Sequence, residues 1–166
     1  MAQTQNIPLD FSQLSSTPSN PSAGYMRIYA KTDGKFYGLL SDGTEKELTQ
    51  VKTPTFVIDG GGSVIATGEK TTTLLQLPYS GTIIGWYLTS KETATVMIDI
   101  WAHDSSDPTN ANTITASAKP SLTAAKFNNS TTLTGWTTAS AVGKKYKVEV
   151  EANDASTNLK LTLLIL

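Results

Sequence analysis

The strongest constraint in this chain is a two-residue rhythm toward its C-terminal end. In residues 144–151, Tyr146, Val148 and Val150 alternate with Lys145, Lys147, Glu149 and Glu151. In residues 158–166, Leu159, Leu161, Leu163 and Ile165 alternate with Lys160 and Thr162, then with Leu164 and Leu166. Successive side chains of a strand point to opposite faces, so this period sets one face on a core and turns the other outward. Leu164 and Leu166 leave that outer face apolar at its end, which predicts a cover from a neighbouring subunit. Upstream, strand signals recur about every ten residues, at 55–58, 71–78, 82–89, 93–101, 112–117 and 130–135. The turn clusters GGG, SG, SKE, DSSDPTNAN, FNNS and ANDAS separate most of them. Residues 121–127 (SLTAAKF) alone read as a helical turn. About eight short strands predict an all-β chain, a two-sheet sandwich of jelly-roll type.

Composition agrees. The 166 residues include 26 Thr and 16 Ser, together about a quarter of the chain, and threonine suits half-exposed strands and turns. Only 16% are charged, too few for the exposed faces of a helical protein this size. The formal charge of −1 offers no basic surplus for nucleic acid and no polybasic patch for a membrane surface. The absence of cysteine removes a disulfide framework and a thiolate zinc site. MAQTQNIPLDF lacks the basic start and apolar stretch of a secretion signal, and no apolar run approaches a membrane span. Synthesis in a cytoplasm, with no membrane insertion, is the expectation.

The first twenty or so residues are polar and hold Pro8 and Pro18, with Pro21 just beyond. IPLDFSQL has the makings of one short turn; the rest reads as an extended arm that orders against something else. GYMRIYAKTDGKFYGLLSDGTEKELTQ follows, with the hairpin dipeptides Asp33-Gly34 and Asp42-Gly43. They flank runs at 25–30, 35–40 and 44–48, a three-stranded meander. Its aromatic and aliphatic side chains exceed what so small a sheet can bury alone. Phe11, Leu14, Tyr25, Ile28, Tyr29, Phe36, Tyr37 and Leu39 are therefore the candidate oligomer and anchoring interface. Residues 50–54 read as a junction, so 1–52 form an anchoring arm and meander and 53–166 the sandwich domain.

FVIDGGGSVIATGEKT, residues 56–71, superficially suggests a phosphate loop. That motif needs G-x-x-x-x-G-K-[ST] between a strand and a helix. Here five residues separate Gly62 from Gly68, Glu69 displaces the lysine, and β-branched Thr71, Thr72 and Thr73 follow where a helix must start. The glycines read instead as a turn that leaves a strand. His103, Asp104, Asp107, Asn110 and Asn112 could form an oxygen-rich calcium loop, but their spacing fits no EF-hand and suits a surface turn equally. Asp59 and Asp99 are lone strand aspartates with no partner in sequence, of the kind that bonds a backbone group or a neighbouring Lys, Ser or Thr. A triad would need His103, and no G-x-S-x-G elbow is present. No catalytic residue, metal or cofactor is expected. Trp86 and Trp101 lie in apolar runs and read as core or interface. Trp136 follows a glycine and reads as exposed; with His103 and Asn110 it is the candidate glycan contact.

Two stretches together carry a resemblance. PSAGYMRIYAKTDGKFYGLLSDGTEKEL resembles a segment common in tailed-bacteriophage fibre proteins. FVIDGGGSVIATGEKTTTLLQLPYSGTIIGWYLTSKETATVMIDIWAHD with TITASAKPSLTAAKFNNSTTLTGWTT resembles a β-sandwich domain of phage tail-fibre, neck and head-surface proteins. The resemblance runs from about Pro18 to the end. It implies homotrimers, surface display on the virion and no catalysis. No heptad or shaft repeat separates the meander from the sandwich. The expectation is thus a short capsid decoration, cement or head-fibre protein, held to other virion proteins by its N-terminal segment. The alternative is a short tail fibre that meets host surface glycan through the loops at 101–112 and 127–136.

Overall fold

The structure, a computed structural model, describes residues 12–48 and 50–166, without the side chains of residues 71–73. The chain divides into two compact units, Met1–Gln50 and Val51–Leu166.

The first unit is a four-stranded sheet in the order β1 (Gln13–Leu14), β2 (Met26–Lys31), β3 (Phe36–Leu40), β4 (Glu45–Glu47). Strands β2, β3 and β4 are the expected antiparallel meander. Asp33 and Asp42 build its two turns by accepting the N–H groups of Lys35 and Thr44 at 3.0 and 2.8 Å. Gly34 and Gly43 follow at φ +80° and +87°, which a side chain would resist. The arm contributes more than an extended lead. Its residues 13 and 14 pair in parallel with Ala30 and Lys31 as β1. The turn expected in IPLDFSQL covers residues 7–14, of which 7–11 lie outside the described residues.

The second unit holds β5 (Thr55–Asp59), β6 (Gly68–Gln76), β7 (Gly81–His103), β8 (Ser121–Ser130), β9 (Ala139–Ser140), β10 (Lys145–Asn153) and β11 (Asn158–Ile165). Among the described residues one 3-10 turn is found, at Asn110–Asn112. The sheet order is β5-β11-β7-β10-β6, with β8 and β9 also paired to β7. The all-β expectation holds, and the curled strands wrap one core in a sandwich-like form. The two expected separate sheets are one hydrogen-bonded network, because β7 serves both layers. Its first half pairs with β11 and its second with β10. The two strands expected at 82–89 and 93–101 are therefore one, and Ser90-Lys91-Glu92 is no turn. Those polar residues instead hold the loop between β10 and β11. The Ser90 hydroxyl lies 2.8 Å from that of Ser156, and the Glu92 carboxylate accepts the N–H and hydroxyl of Thr157, both at 2.8 Å.

The alternation read from the sequence sets the core. Tyr146, Val148 and Val150 of β10, Leu159, Leu161, Leu163 and Ile165 of β11, and Ile98 and Ile100 of β7 are at most 1% exposed. Each of these aliphatic side chains contributes about 1.5–3 kcal/mol by leaving water. Residues 121–127 are strand, not helix: Leu122 points into this core, and β8 continues through 127–130, where a turn was expected. Ala124, at φ +46°, lies where the β7–β8 register breaks, a kink that local sequence does not announce. Of the strand expected at 130–135 only Ser130, the end of β8, is strand and the rest is loop, and that at 112–117 reduces to one bridge between Thr113 and Trp101.

The glycine run closes the turn out of β5. Asp59 accepts the Gly61 N–H at 2.9 Å, and the Ser63 N–H meets the Gly60 carbonyl at 3.1 Å. A Cβ on Gly60 would stand 2.0 Å from the Ser63 carbonyl oxygen, whereas one on Gly61 would meet open space at φ +62°. Urea unfolding should therefore find Gly60→Ala destabilised by about 2–3 kcal/mol and Gly61→Ala by about 1 kcal/mol. Equal midpoints for the two variants would contradict this reading of the turn.

Candidate functional site

The meander has two unlike faces. Pairing of Met26 with Leu40, Ile28 with Gly38 and Ala30 with Phe36 places these residues on one face. Arg27 with Leu39 and Tyr29 with Tyr37 occupy the other. On the second face the chain between β1 and β2 is laid across the sheet. The Arg27 guanidinium donates to the Ser19 carbonyl at 2.6 Å, and the Thr17 hydroxyl donates to Glu45 at 2.7 Å. Glu45 also accepts the Lys31 ammonium at 2.6 Å and the Tyr29 hydroxyl. Tyr29 stacks on Tyr37 with centroids 5.9 Å apart, and the Tyr37 hydroxyl donates to Asp33 at 2.7 Å. Tyr29 and Leu39 are buried there. Lys31 above all, then Tyr29 and Thr17, hold the Glu45 carboxyl down to about 2. Its bond to Asp33 pushes the Tyr37 hydroxyl up to about 12.

The first face is partly exposed: Met26, Ile28 and Leu48 are 54%, 47% and 47% exposed and Phe36 45%, while Ala30 is buried. Of the residues expected at an interface, Ile28 and Phe36 lie on this face. Tyr29, Tyr37 and Leu39 instead close the unit upon itself. Leu14 is half-buried in β1. Tyr25 is exposed beside a shallow pocket of about 360 Å³ shared with Pro21, Ser22, Met26 and Arg27. Phe11 lies outside the described residues. Met26 and Leu48 were missed, although the two-residue spacing of Met26 from Ile28 was there to read.

In the second unit the polar candidates serve local structure. Asp99 lies on the outer side of β7 yet is 4% exposed. One carboxylate oxygen accepts the Ile100 N–H at 2.8 Å, the Thr113 hydroxyl at 2.7 Å and the Thr115 hydroxyl at 2.5 Å. The other accepts the Trp101 indole N–H at 3.2 Å and faces the Lys119 ammonium at 3.4 Å. Burial alone would raise its pKa; the bonds from Thr115 and Thr113, with Lys119 and Trp101, outweigh burial and lower it. Asp99, Glu149 and Glu151 each bring an oxygen within 4.8 Å of the others, and Lys119 pairs with both Asp99 and Glu151. The positive charge of this cluster is the protein's own. Asp99 pins residues 113–119 against β7.

The His103 ring nitrogen Nδ1 accepts the N–H groups of Ser105 and Ser106 at 3.2 and 3.1 Å and caps a turn. Asp104 and Asp107 pair with Lys144 and Lys145 at 3.5 and 3.6 Å. Asn110 is exposed at the start of the 3-10 turn, where Asn112 accepts the Thr109 N–H at 3.0 Å. Trp136, expected at the surface, is buried: its indole N–H donates to the Ala118 carbonyl at 2.9 Å and its ring joins the core. Trp86 and Trp101 are buried as expected. The exposed aromatic pair is one that sequence reading missed. Tyr87 and Phe127 stack on the outer face of β7 and β8 with centroids 6.2 Å apart. Only the β7–β8 register brings these two together.

Two outcomes test these networks. Glu45 titrates lower folded than its ordinary value near 4.3, so its contribution is complete above about pH 5 and lost as pH falls toward 2. NMR amide protection at Tyr29 and Leu39 should fall across that window, and Glu45→Gln should remove the dependence. Asp99→Asn should cost about 2 kcal/mol at neutral pH, read by urea unfolding. Because the Asp99 pKa is lowered on folding, the wild-type advantage over this variant should shrink below about pH 4.

Comparison of this chain with protein-family models, with curated proteins and with solved structures found no match.

Proposed function

We propose that this chain is a non-enzymatic structural protein of a tailed-bacteriophage particle. It is made in the bacterial cytoplasm and displayed on the virion surface. In this reading the N-terminal unit anchors the chain to other virion proteins and the second unit, a jelly-roll-type sandwich, is displayed as a homotrimer. The observation that carries it is the two-faced N-terminal sheet. One face is closed by the unit's own hydrogen bonds and the other presents Met26, Ile28 and Leu48 to whatever lies outside. Such a sheet is an attachment module, because its fold is complete on one side and its apolar surface is spent on contact. The resemblance of residues 18–166 to phage fibre and head-surface proteins supports the setting. The lack of any shaft repeat before Val51 supports a short decoration or cement protein on the capsid over a fibre.

One observation favours the second reading, a short tail fibre that binds host glycan. Tyr87 and Phe127 offer adjacent exposed rings, ringed by hydroxyl-bearing Thr89 and Thr162 on neighbouring strand positions. Flat aromatic faces with hydroxyl donors nearby are the chemistry that sugar rings meet.

Antibody labelling of intact particles, viewed by electron microscopy, tests both. Label over the shell supports the capsid reading, and label confined to the tail supports the fibre. Absence of label from every particle would reject both. Deletion of residues 1–50 should leave a folded second unit that no longer joins particles, and retained incorporation would reject the anchoring role.

A further inference from the structure

We propose that residues 104–107 are a pH-operated latch over the outward lysines of β10, closed while the His103 ring is neutral and released when the ring takes a proton. The latch needs nothing from the virion reading and goes beyond it.

His103 ends β7, and its Nδ1 is the acceptor on which the following turn closes. It accepts the N–H groups of Ser105 and Ser106 at 3.2 and 3.1 Å, and the Ser106 hydroxyl stands 3.1 Å away. An imidazole nitrogen that accepts carries no proton, so the ring hydrogen is on Nε2. Protonation puts a hydrogen on Nδ1 and removes its free lone pair. The Ser106 hydroxyl can rotate to accept that hydrogen, but the two backbone N–H groups can only donate. They are left facing a donor and a positive charge. The turn that suits a neutral ring therefore cannot persist unchanged around a charged one. His103 is the single histidine of the chain, and histidine is the side chain whose ordinary titration falls between pH 5 and 8.

What the turn holds gives its release a consequence. Asp104 sits 3.5 Å from the Lys144 ammonium, and Asp107 sits 3.6 and 4.0 Å from those of Lys145 and Lys147. Lys147 is 9% exposed and also pairs with Glu69 of β6 at 2.8 Å. Lys145 lies directly opposite His103 in the β7–β10 register. On the other edge of β7, residues 109–118 carry no ionisable side chain. Among the described residues, the charged groups around the ring are thus Asp104 and Asp107 on the turn, with Lys144, Lys145, Lys147 and Glu69 across from them. The side chains of the two aspartates are 70% and 62% exposed, and ion pairs so open to water hold little by themselves. They follow the turn rather than fix it. Three lysines face three acids while the latch is closed. Release withdraws two of the acids, and the protonated ring adds positive charge beside the lysines, so this surface comes to attract anions.

NMR of the full-length chain between pH 8 and pH 5 tests the latch, with protonation of the ring followed by its own carbon-bound hydrogens. The window stays above the ordinary carboxylate range. As the ring titrates, the backbone order parameters of Ser105 and Ser106 should fall from about 0.85 to below about 0.6. NOE contacts from Asp107 to Lys145 and Lys147 should be lost in step. A ring that titrates while either readout stays in place overturns the proposal, and so does a ring still neutral at pH 5. Two variants separate a latch from general loosening in acid. His103→Asn keeps a capping oxygen that takes no proton, so its turn should stay ordered at both pH values. His103→Leu offers no acceptor, and its turn should be loose at both. A His103→Asn turn that loosens in acid as the wild type does, or a His103→Leu turn ordered throughout, would reject the role of the ring. Should either variant not fold, the wild-type titration decides alone. A turn that never opens leaves the particle labelling as it is, and a chain absent from particles leaves the latch as it is.

Discussion

The second unit depends on the continuity of one strand. Residues 81–103 hydrogen-bond to β11 over the first half, to β10 over the second, and to β8 along much of the other edge. Every layer is placed by its register to this strand. Because a one-residue slip would turn Ile98 and Ile100 outward and Asp99 inward, the register is strongly specified. A break at residues 90–92 would leave two short pieces with no shared frame. The cross-ties from Ser90 to Ser156 and from Glu92 to Thr157 hold the strand through this stretch.

The abundance of threonine and serine has a structural use that runs through both units. Several buried or half-buried carboxylates take hydroxyl donors alongside their lysine or backbone partners. Thr113 and Thr115 serve Asp99, Thr157 serves Glu92, and Thr17 serves Glu45. Each case ties a loop or strap to a strand. Charge-assisted bonds of this kind are stronger than neutral ones, and an unpaired buried acid would be costly. Asp99, the strand acid singled out from sequence, thus ties residues 113–115 to β7.

Much of this was legible in the chain. The alternation of Tyr146, Val148 and Val150 with lysine and glutamate fixed which face of β10 is core. Asp33-Gly34 and Asp42-Gly43 located both hairpins, because aspartate caps such turns and glycine accepts their backbone angles. Asp59 and its glycines read correctly as a turn. The failures have a common origin. SKE and FNNS look like turns because polar residues dominate them, yet both lie in strands: Ser90 and Glu92 bond residues 156 and 157, and FNNS pairs through its backbone with residues 86–89. SLTAAKF looks helical by local propensity, but pairing with β7 overrides that preference. Trp136 follows a glycine in a polar stretch, and only the fold of residues 113–120 over β7 gives its indole an acceptor and a core to join.

The sequence by itself determined the strands of clean alternation, the Asp-Gly and glycine-run turns and the inward side chains of β10 and β11, since each follows from a period of two or from the backbone needs of one or two residues. The tertiary structure decided which runs fuse into one strand, which acids are satisfied and which apolar residues stay open. Tyr29 and Ile28 are neighbours of similar apolar character, and nothing local separates their fates. The strap from Ser15 to Gly24 crosses one face of the sheet and not the other. That long-range placement makes Tyr29 part of the unit's own interior and leaves Ile28 half exposed.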